Sequence, residues 1–256
     1  MRSFLAFLKK EYTESVRNGK VLLLTTLFVT IGIMNPAIAK LTPWLLETMS
    51  ESLEETGMSV TVATVDALTS WTQFFKNIPL MLIAYVLVYG NLFTKEYESG
   101  TLVLILTKGI ARYKIVLAKT VWLVLFWTVG YFTSFGITYG YNAYYWDNSI
   151  AKSLMTAVLY WYVFSLLVVF LMVLFSAMAN TSSMVTLGTG SVVMVSYLLS
   201  IIPKLACYLP TSLMNSNGLL MGTEDPDRCY PALIITLAMC VLSVAVSIPI
   251  MNKKQL

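Results

Sequence analysis

The sequence predicts an all-α polytopic membrane protein, and three observations carry that prediction. Apolar residues fill 57% of the 256 positions and charged residues only 12%, against about 45–50% and about 25% in soluble domains. Six apolar runs approach or exceed the roughly 20 residues a bilayer-crossing helix needs: 21–39, 78–93, 115–139, 154–178, 184–202 and 232–251. These runs also sort the charges. Arg2, Lys9, Lys10, Arg17, Lys20, Lys95, Lys108, Arg112, Lys114, Lys119, Lys253 and Lys254, 12 of the 17 basic residues, fall on the side shared by both termini. Lys40, Lys76, Lys152, Lys204 and Arg228 fall on the other, with nine of the 13 acids. Lysine and arginine collect on the cytoplasmic side, so both termini are expected there. Residues 1–256 read as one transmembrane domain.

Residues 1–20 predict an amphipathic helix lying in the membrane interface. Phe4, Leu5, Phe7, Leu8, Tyr12 and Val16 recur at helical spacing on one side, with Lys10, Glu14 and Arg17 on the other and Lys9 at the edge. The first run ends in an A-x-A-like stretch, Pro36 to Ala39, but it is longer than a signal core and follows twenty polar-rich residues. It reads as a retained span. The loop 40–77 is acidic and reads as solvated, with Leu68, Trp71 and Phe75 marking an interfacial helix over 67–76.

The second run is short and the third long, so tilt is expected. Lys119 stands near the start of the third run, where its ammonium can snorkel to the surface. Tyr139, Tyr141, Tyr144, Tyr145 and Trp146 close that run as an aromatic belt; a binding surface for an apolar or cationic substrate is the alternative. The turn 179–183 is short enough to make the fourth and fifth runs a hairpin. Small residues at 186–191 permit close helix approach. The loop 203–231 is too apolar for a tether, and 205–209 and 213–221 read as segments dipping back into the far leaflet. Cys207 and Cys229 share this loop, where a disulfide and two free thiols are both open to them. Cys240 lies mid-run as packing.

Much chemistry is excluded. The chain has no His, so neither a Ser-His-Asp site nor an imidazole metal site is available. No G-x-x-x-x-G-K-[ST] motif is present, and no ionisable residue lies deep in a run as an ion-coupled transporter would require. A lipid-modifying enzyme would need clustered carboxylates. The groups at Glu47 to Glu55 and at Glu224, Asp225 and Asp227 both look solvated. Energy for uphill movement must then come from another protein, and the chain is expected to be non-catalytic.

One stretch on the basic side stands apart. Residues 98–107 predict a short helix, with Glu96 and Glu98 at its start, Ser99 as N-cap, Gly109 as the stop and Lys108 by the last turn. Its middle, Leu102 to Leu106, is apolar all round. One side can rest on the bundle or lipid while another plugs into a protein groove. Arg112 and Lys114 return the chain to the membrane.

"KEYESGTLVLILTKGIARYKIVLAK" resembles the segment after the second span of ATP-binding-cassette type-2 exporter permeases. The matching positions are Glu98, Gly100, Thr101, Leu102, Leu104, Leu106, Gly109, Arg112 and Lys119. "FLKKEYTESVRNGK" is similar to that family's N-terminal interfacial helix, at Lys10, Glu11 and Arg17. Lys108-Gly109 stands where many relatives carry a proline-containing break. The resemblance implies that the segment is a coupling helix docked in a cleft of a separate ATPase. Glu96, Glu98, Gly100, Thr101, Leu102, Leu104, Leu106, Lys108 and Arg112 would then form the contact. It implies two ATPase copies holding ATP and magnesium, no cofactor, metal or nucleic acid on this chain, and a second permease subunit giving a homodimer or a heterodimer. The expected setting is a bacterial plasma membrane. The expected cargo is amphipathic or hydrophobic, with membrane-active antimicrobial or toxin-like peptides ahead of drugs or lipids; a non-transporting immunity or sensor protein of the same architecture is the alternative.

Overall fold

The computed structural model describes residues 2–54, 66–102, 107 and 110–254. Among the described residues every regular element is helical. The order is α1 Arg2–Arg17, α2 Lys20–Glu54, α3 Ala67–Tyr89, α4 Thr94–Glu98, α5 Arg112–Tyr145, α6 Leu154–Met178, α7 Ser182–Leu199, α8 Pro203–Ala206, α9 Ser216–Met221 and α10 Tyr230–Lys253. Short 3-10 turns stand at Asn148–Ile150, Pro210–Met214 and Pro226–Cys229. Among the described residues six stretches are long and apolar enough to cross a membrane: Lys20–Leu45, Ala67–Tyr97, Arg112–Tyr145, Leu154–Met178, Ser182–Leu199 and Pro226–Lys253. The chain is an all-α polytopic membrane protein.

α6 is the hub, packed against α10, α7, α5, α3 and α9, while α2 lies along α5 and α3. With 35 and 34 residues, α2 and α5 are each about 50 Å long, well beyond a hydrocarbon core of about 30 Å. They cross in close contact at Gly130, where a Cβ would fall 2.1 Å from the Phe28 ring. Only glycine admits that ring.

The solvated loop expected over 40–77 is not what forms at its beginning and end. α2 continues to Glu54, straight through Pro36 and Pro43. Proline removes the N–H that would bond the carbonyl four residues back; for Pro36 that carbonyl belongs to Gly32. The Thr138 hydroxyl of α5 supplies the missing donor, its hydrogen shared between Gly32 O and Ser134 O, both at 3.0 Å. Asn35 donates to the same hydroxyl oxygen at 3.1 Å and accepts from Asn77 at 2.7 Å. A neighbouring helix thus repairs the proline's defect, as lipid-embedded backbone requires.

At the other end of that loop, Asp66 caps α3 by accepting from Thr69 N at 3.1 Å. The interfacial helix expected over 67–76 is instead the first part of α3. Trp71, Phe74 and Phe75 are buried, Trp71 against Phe135 and Tyr139 of α5, with its indole N–H on Asn148 Oδ1. The stripe faces the bundle because α5 extends far enough to meet it.

α1 also departs from a single apolar side. Phe7 is buried, and Phe4 and Leu8 pack against the core, but Leu5, Tyr12 and Val16 point outward. Glu11 and Ser15 share the buried face with Phe7. The helix has a bundle face, a separate apolar face and a polar face.

Beyond α7, Leu213, Leu219 and Leu220 are buried where the Pro210–Met214 turn and α9 pack on α6. Leu205 and Tyr208, in the other segment expected to dip back, are exposed. Cys207 and Cys229 are free thiols in this structure, and the Cys229 thiol lies 3.9 Å from Ser212 O. Tyr139, Tyr141, Tyr144 and Tyr145 are exposed at the end of α5, with the Lys40 ammonium 3.8 Å above the Tyr145 ring.

Candidate functional site

The segment from Ser99 to Ala111 joins α4 to α5, and both its ends are fastened. The front fastening is a buried ion cluster. Lys119 of α5 is only 2% exposed and does not snorkel, because carboxylates meet it inside. Its ammonium donates to Glu11 Oε2 at 3.1 Å and Leu92 O at 3.1 Å, and lies 3.2 Å from Glu96 Oε1. Lys10 of α1 bonds the same Glu96 oxygen and also reaches Glu11 at 3.0 Å and Glu14 at 2.9 Å. Three elements distant in sequence, α1, α4 and α5, are thereby joined through charge.

Oxygens of Glu11, Glu14 and Glu96 approach within 4.8 Å of one another, close enough to hold a cation. Two ammonium groups already stand among them, so the group is an ion-pair cluster. Burial alone would lower the Lys10 pKa, but the carboxylates of Glu11 and Glu96 and the bond to Glu14 outweigh it and raise the value above its usual 10.5. For Glu14 burial pushes upward, and the hydrogen bond to Lys10 outweighs that and lowers the pKa below 4.5. Lys20 donates to Asn91 at 2.6 Å, and Trp122 of α5 donates to Ser15 of α1 at 3.1 Å, so the same contact is tied on both flanks.

The rear fastening is Arg112, the first residue of α5. Its Nη1 lies 2.8, 3.0 and 2.8 Å from the carbonyls of Met251, Asn252 and Lys254. These are orphan acceptors at the C-terminus of α10, where a cation also suits the helix dipole. Lys254 repeats the device one helix on, donating to Ala179 O at 2.7 Å beyond the end of α6. Tyr97 of α4 completes the join, its hydroxyl on Met251 Sδ at 3.0 Å and its ring beneath the Lys254 ammonium at 4.0 Å.

Within the segment, the helix expected over 98–107 is broken at its start. Ser99 closes α4 rather than capping a new helix, its N–H bonded to Lys95 O at 3.1 Å. Gly100 then turns left-handed at φ +63°, a conformation other residues resist. The Thr101 hydroxyl meets Ser99 Oγ at 2.9 Å, and Leu102 is wholly buried in the core. Leu104, Leu106 and Lys108 lie outside the described residues, as does the Glu98 side chain. Of the expected contact residues, the structure therefore turns Glu96, Leu102 and Arg112 inward as fastenings. Lys119, Glu11 and Glu14 were not expected to join them; an ammonium in an otherwise apolar run and the family resemblance at Glu11 and Lys119 were the signals.

A second feature lies among α3, α6 and α7. A cavity of about 380 Å³ is lined by Leu82, Val86, Trp161, Phe164, Val193 and Met194 among others. α7 covers little of itself: Met184, Leu187, Met194 and Leu198 are exposed.

Residues 5–218 match the family described as ABC-2 family transporter protein. No curated protein matches the chain. The matched stretch begins in α1 and contains the whole ion cluster and Arg112, while the carbonyls that receive Arg112 lie beyond it. The chain belongs to the ABC-2 transporter family, as the membrane-spanning permease component of an ABC transporter.

Proposed function

We propose that this permease couples a separate ATPase to export through the segment between Glu96 and Arg112, with both termini in the cytoplasm of a bacterial cell. The observation that carries the reading is the double fastening. Force applied to the segment passes at one end into α1 and α5 through the ion cluster, and at the other into α10 and, by Lys254, into α6. A loop tied so firmly to four helices is built to move them together. Leu102 roots it in the bundle, leaving the apolar residues from 103 to 106 as the gripping part. ATP and magnesium are held by the ATPase, in two copies.

A second permease subunit, another copy of this chain or a sibling, covers the exposed face of α7, where Ser183, Gly190 and Ser191 permit close helix approach. The cavity among α3, α6 and α7 has an almost wholly apolar wall. That suits amphipathic or hydrophobic cargo, with membrane-active peptides as the leading class and lipids or drugs next.

The test is co-purification of the ATPase with Leu104→Asp. An acid in the apolar grip is expected to release the ATPase while the permease stays folded; retained association overturns the reading. Transport of a fluorescent cationic peptide against a lipid probe into inverted vesicles identifies the cargo class.

A further inference from the structure

A cavity of about 350 Å³ lies between α2 and α3, at the end of the bundle away from both termini. That is the size of a small-ligand site. Thr42, in its wall, stands about 33 Å along α2 from Lys20, just beyond the roughly 30 Å of a hydrocarbon core. The cavity therefore sits at headgroup depth. Its lining has two natures: Thr42, Thr72, Gln73 and Lys76 bring polar groups, while Ile38 and Met221 bring apolar ones. None of the described lining residues is acidic. Asp66, at the head of α3, is engaged with Thr69 N and Oγ1 at 3.1 and 3.4 Å.

Donors and acceptors are divided between the walls. Lys76 is exposed and makes no ion pair among the described residues. Helical side chains lean toward the N-terminus, which for α3 is the end away from the termini, so the Lys76 ammonium is carried toward the level of Gln73 and Thr72 and out of the hydrocarbon. Lys76 and the Gln73 amide supply N–H donors. The threonine hydrogens are already committed, Thr42 donating to Ile38 O at 2.8 Å and Thr72 to Leu68 O at 2.9 Å. Their oxygens are left as acceptors. An occupant that meets all four groups carries an anion for Lys76 and Gln73, with O–H donors beside it for the threonines. Choline offers no donor, and ethanolamine would bring a second ammonium beside Lys76.

We infer that this cavity seats the headgroup of a phospholipid whose phosphate carries hydroxyls, of the glycerol-phosphate class, in the leaflet away from both termini. The phosphate meets Lys76 and Gln73, the glycerol hydroxyls donate to Thr42 and Thr72, and the start of the acyl region lies against Ile38 and Met221. The site needs neither the ATPase nor the cargo. A lipid held there bridges α2 and α3 beyond the Asn35–Asn77 hydrogen bond.

The test adds lipids of matched chains to the delipidated full permease and counts those retained by native mass spectrometry. Phosphatidylglycerol is expected to be held about fivefold more tightly than phosphatidylcholine, the effect of one lysine beside an anionic headgroup. Lys76→Gln is expected to remove that preference, while Lys76→Arg and, in α8, Lys204→Gln keep it. Thr42→Val with Thr72→Val is expected to remove the preference for phosphatidylglycerol over phosphatidic acid, which has the phosphate without the glycerol hydroxyls. A preference that survives Lys76→Gln, or that falls equally with Lys204→Gln, overturns the inference. Displacement of the lipid by soluble glycerol phosphate overturns its lipid source. In the wild-type chain, phosphatidylglycerol with a photoreactive headgroup is expected to label residues 68–76; labelling confined to other stretches overturns the site whatever the variants do.

Discussion

Lys119 and Glu96 lie 3.2 Å apart inside the bundle, one on each side of the segment that joins α4 to α5. Their contact closes that segment at its base. Lys119 also holds Glu11 of α1, so one ammonium group gathers three chain segments.

Removing that ammonium while its partners stay should be costly, because breaking a buried pair strands a charge, at about 3–5 kcal/mol. Lys119→Met is expected to lower the thermal unfolding midpoint sharply in detergent. Adding Glu11→Gln and Glu96→Gln to Lys119→Met should restore much of the loss. A triple variant no better than the single one would show that packing, not charge, dominates the site.

Arg112→Leu leaves the carbonyls of Met251, Asn252 and Lys254 without their donor. Cation contacts at helix C-termini contribute about 0.3–2 kcal/mol, so the fold should survive with a small drop in midpoint. Coupling should suffer more. The ATPase is expected to remain bound and to hydrolyse ATP, while transport per ATP falls severalfold in vesicles. Unchanged transport per ATP would remove Arg112 from the coupling route.

Acid should loosen α1. The Glu14 pKa is lowered in the folded state, so its stabilisation is complete above the unfolded value near 4.5 and is lost as pH falls through the lower folded value. The Lys10 pKa is raised, so its share is complete below 10.5 and is lost only as pH rises through the still higher folded value. The Lys10–Glu14 pair within α1 should therefore hold from neutral to mildly alkaline pH and weaken below about pH 4.5. The pH dependence of the unfolding midpoint, compared with that of Glu14→Gln, reads this contribution directly. Loosening near pH 7 would contradict this.

Gly130→Leu should force Phe28 out of its notch. Overpacking a tight contact costs about 1–3 kcal/mol, and Phe28→Ala in the same chain should recover part of it. A midpoint unmoved by Gly130→Leu would mean that α2 and α5 separate freely at that level.

The spans were legible because lipid imposes one length and one polarity on any helix that crosses it. α6 begins and ends at the residues the apolar run marks, Leu154 and Met178. The extension of α2 was not legible. Proline interrupts a helix in water, and the repair of Gly32 O comes from Thr138, more than a hundred residues away. The site divides in the same way. Gly100, Leu102 and Arg112 stand out locally through glycine, leucine and arginine at fixed offsets. Lys119 reads as a snorkelling lysine until Glu11, 108 positions earlier, arrives beside it. The three faces of α1 were blurred for a related reason, since one helical stripe can be apolar while packing against two different neighbours.

The hydroxyl of Thr138 standing in for the amide that Pro36 lacks has an evolutionary corollary. The two positions are expected to drift as a couple: a descendant that replaced the proline with an ordinary residue would regain its own donor, and selection on the threonine would relax. Alignments of close kin should then show valine or alanine at the second site chiefly where the imino acid at the first has disappeared.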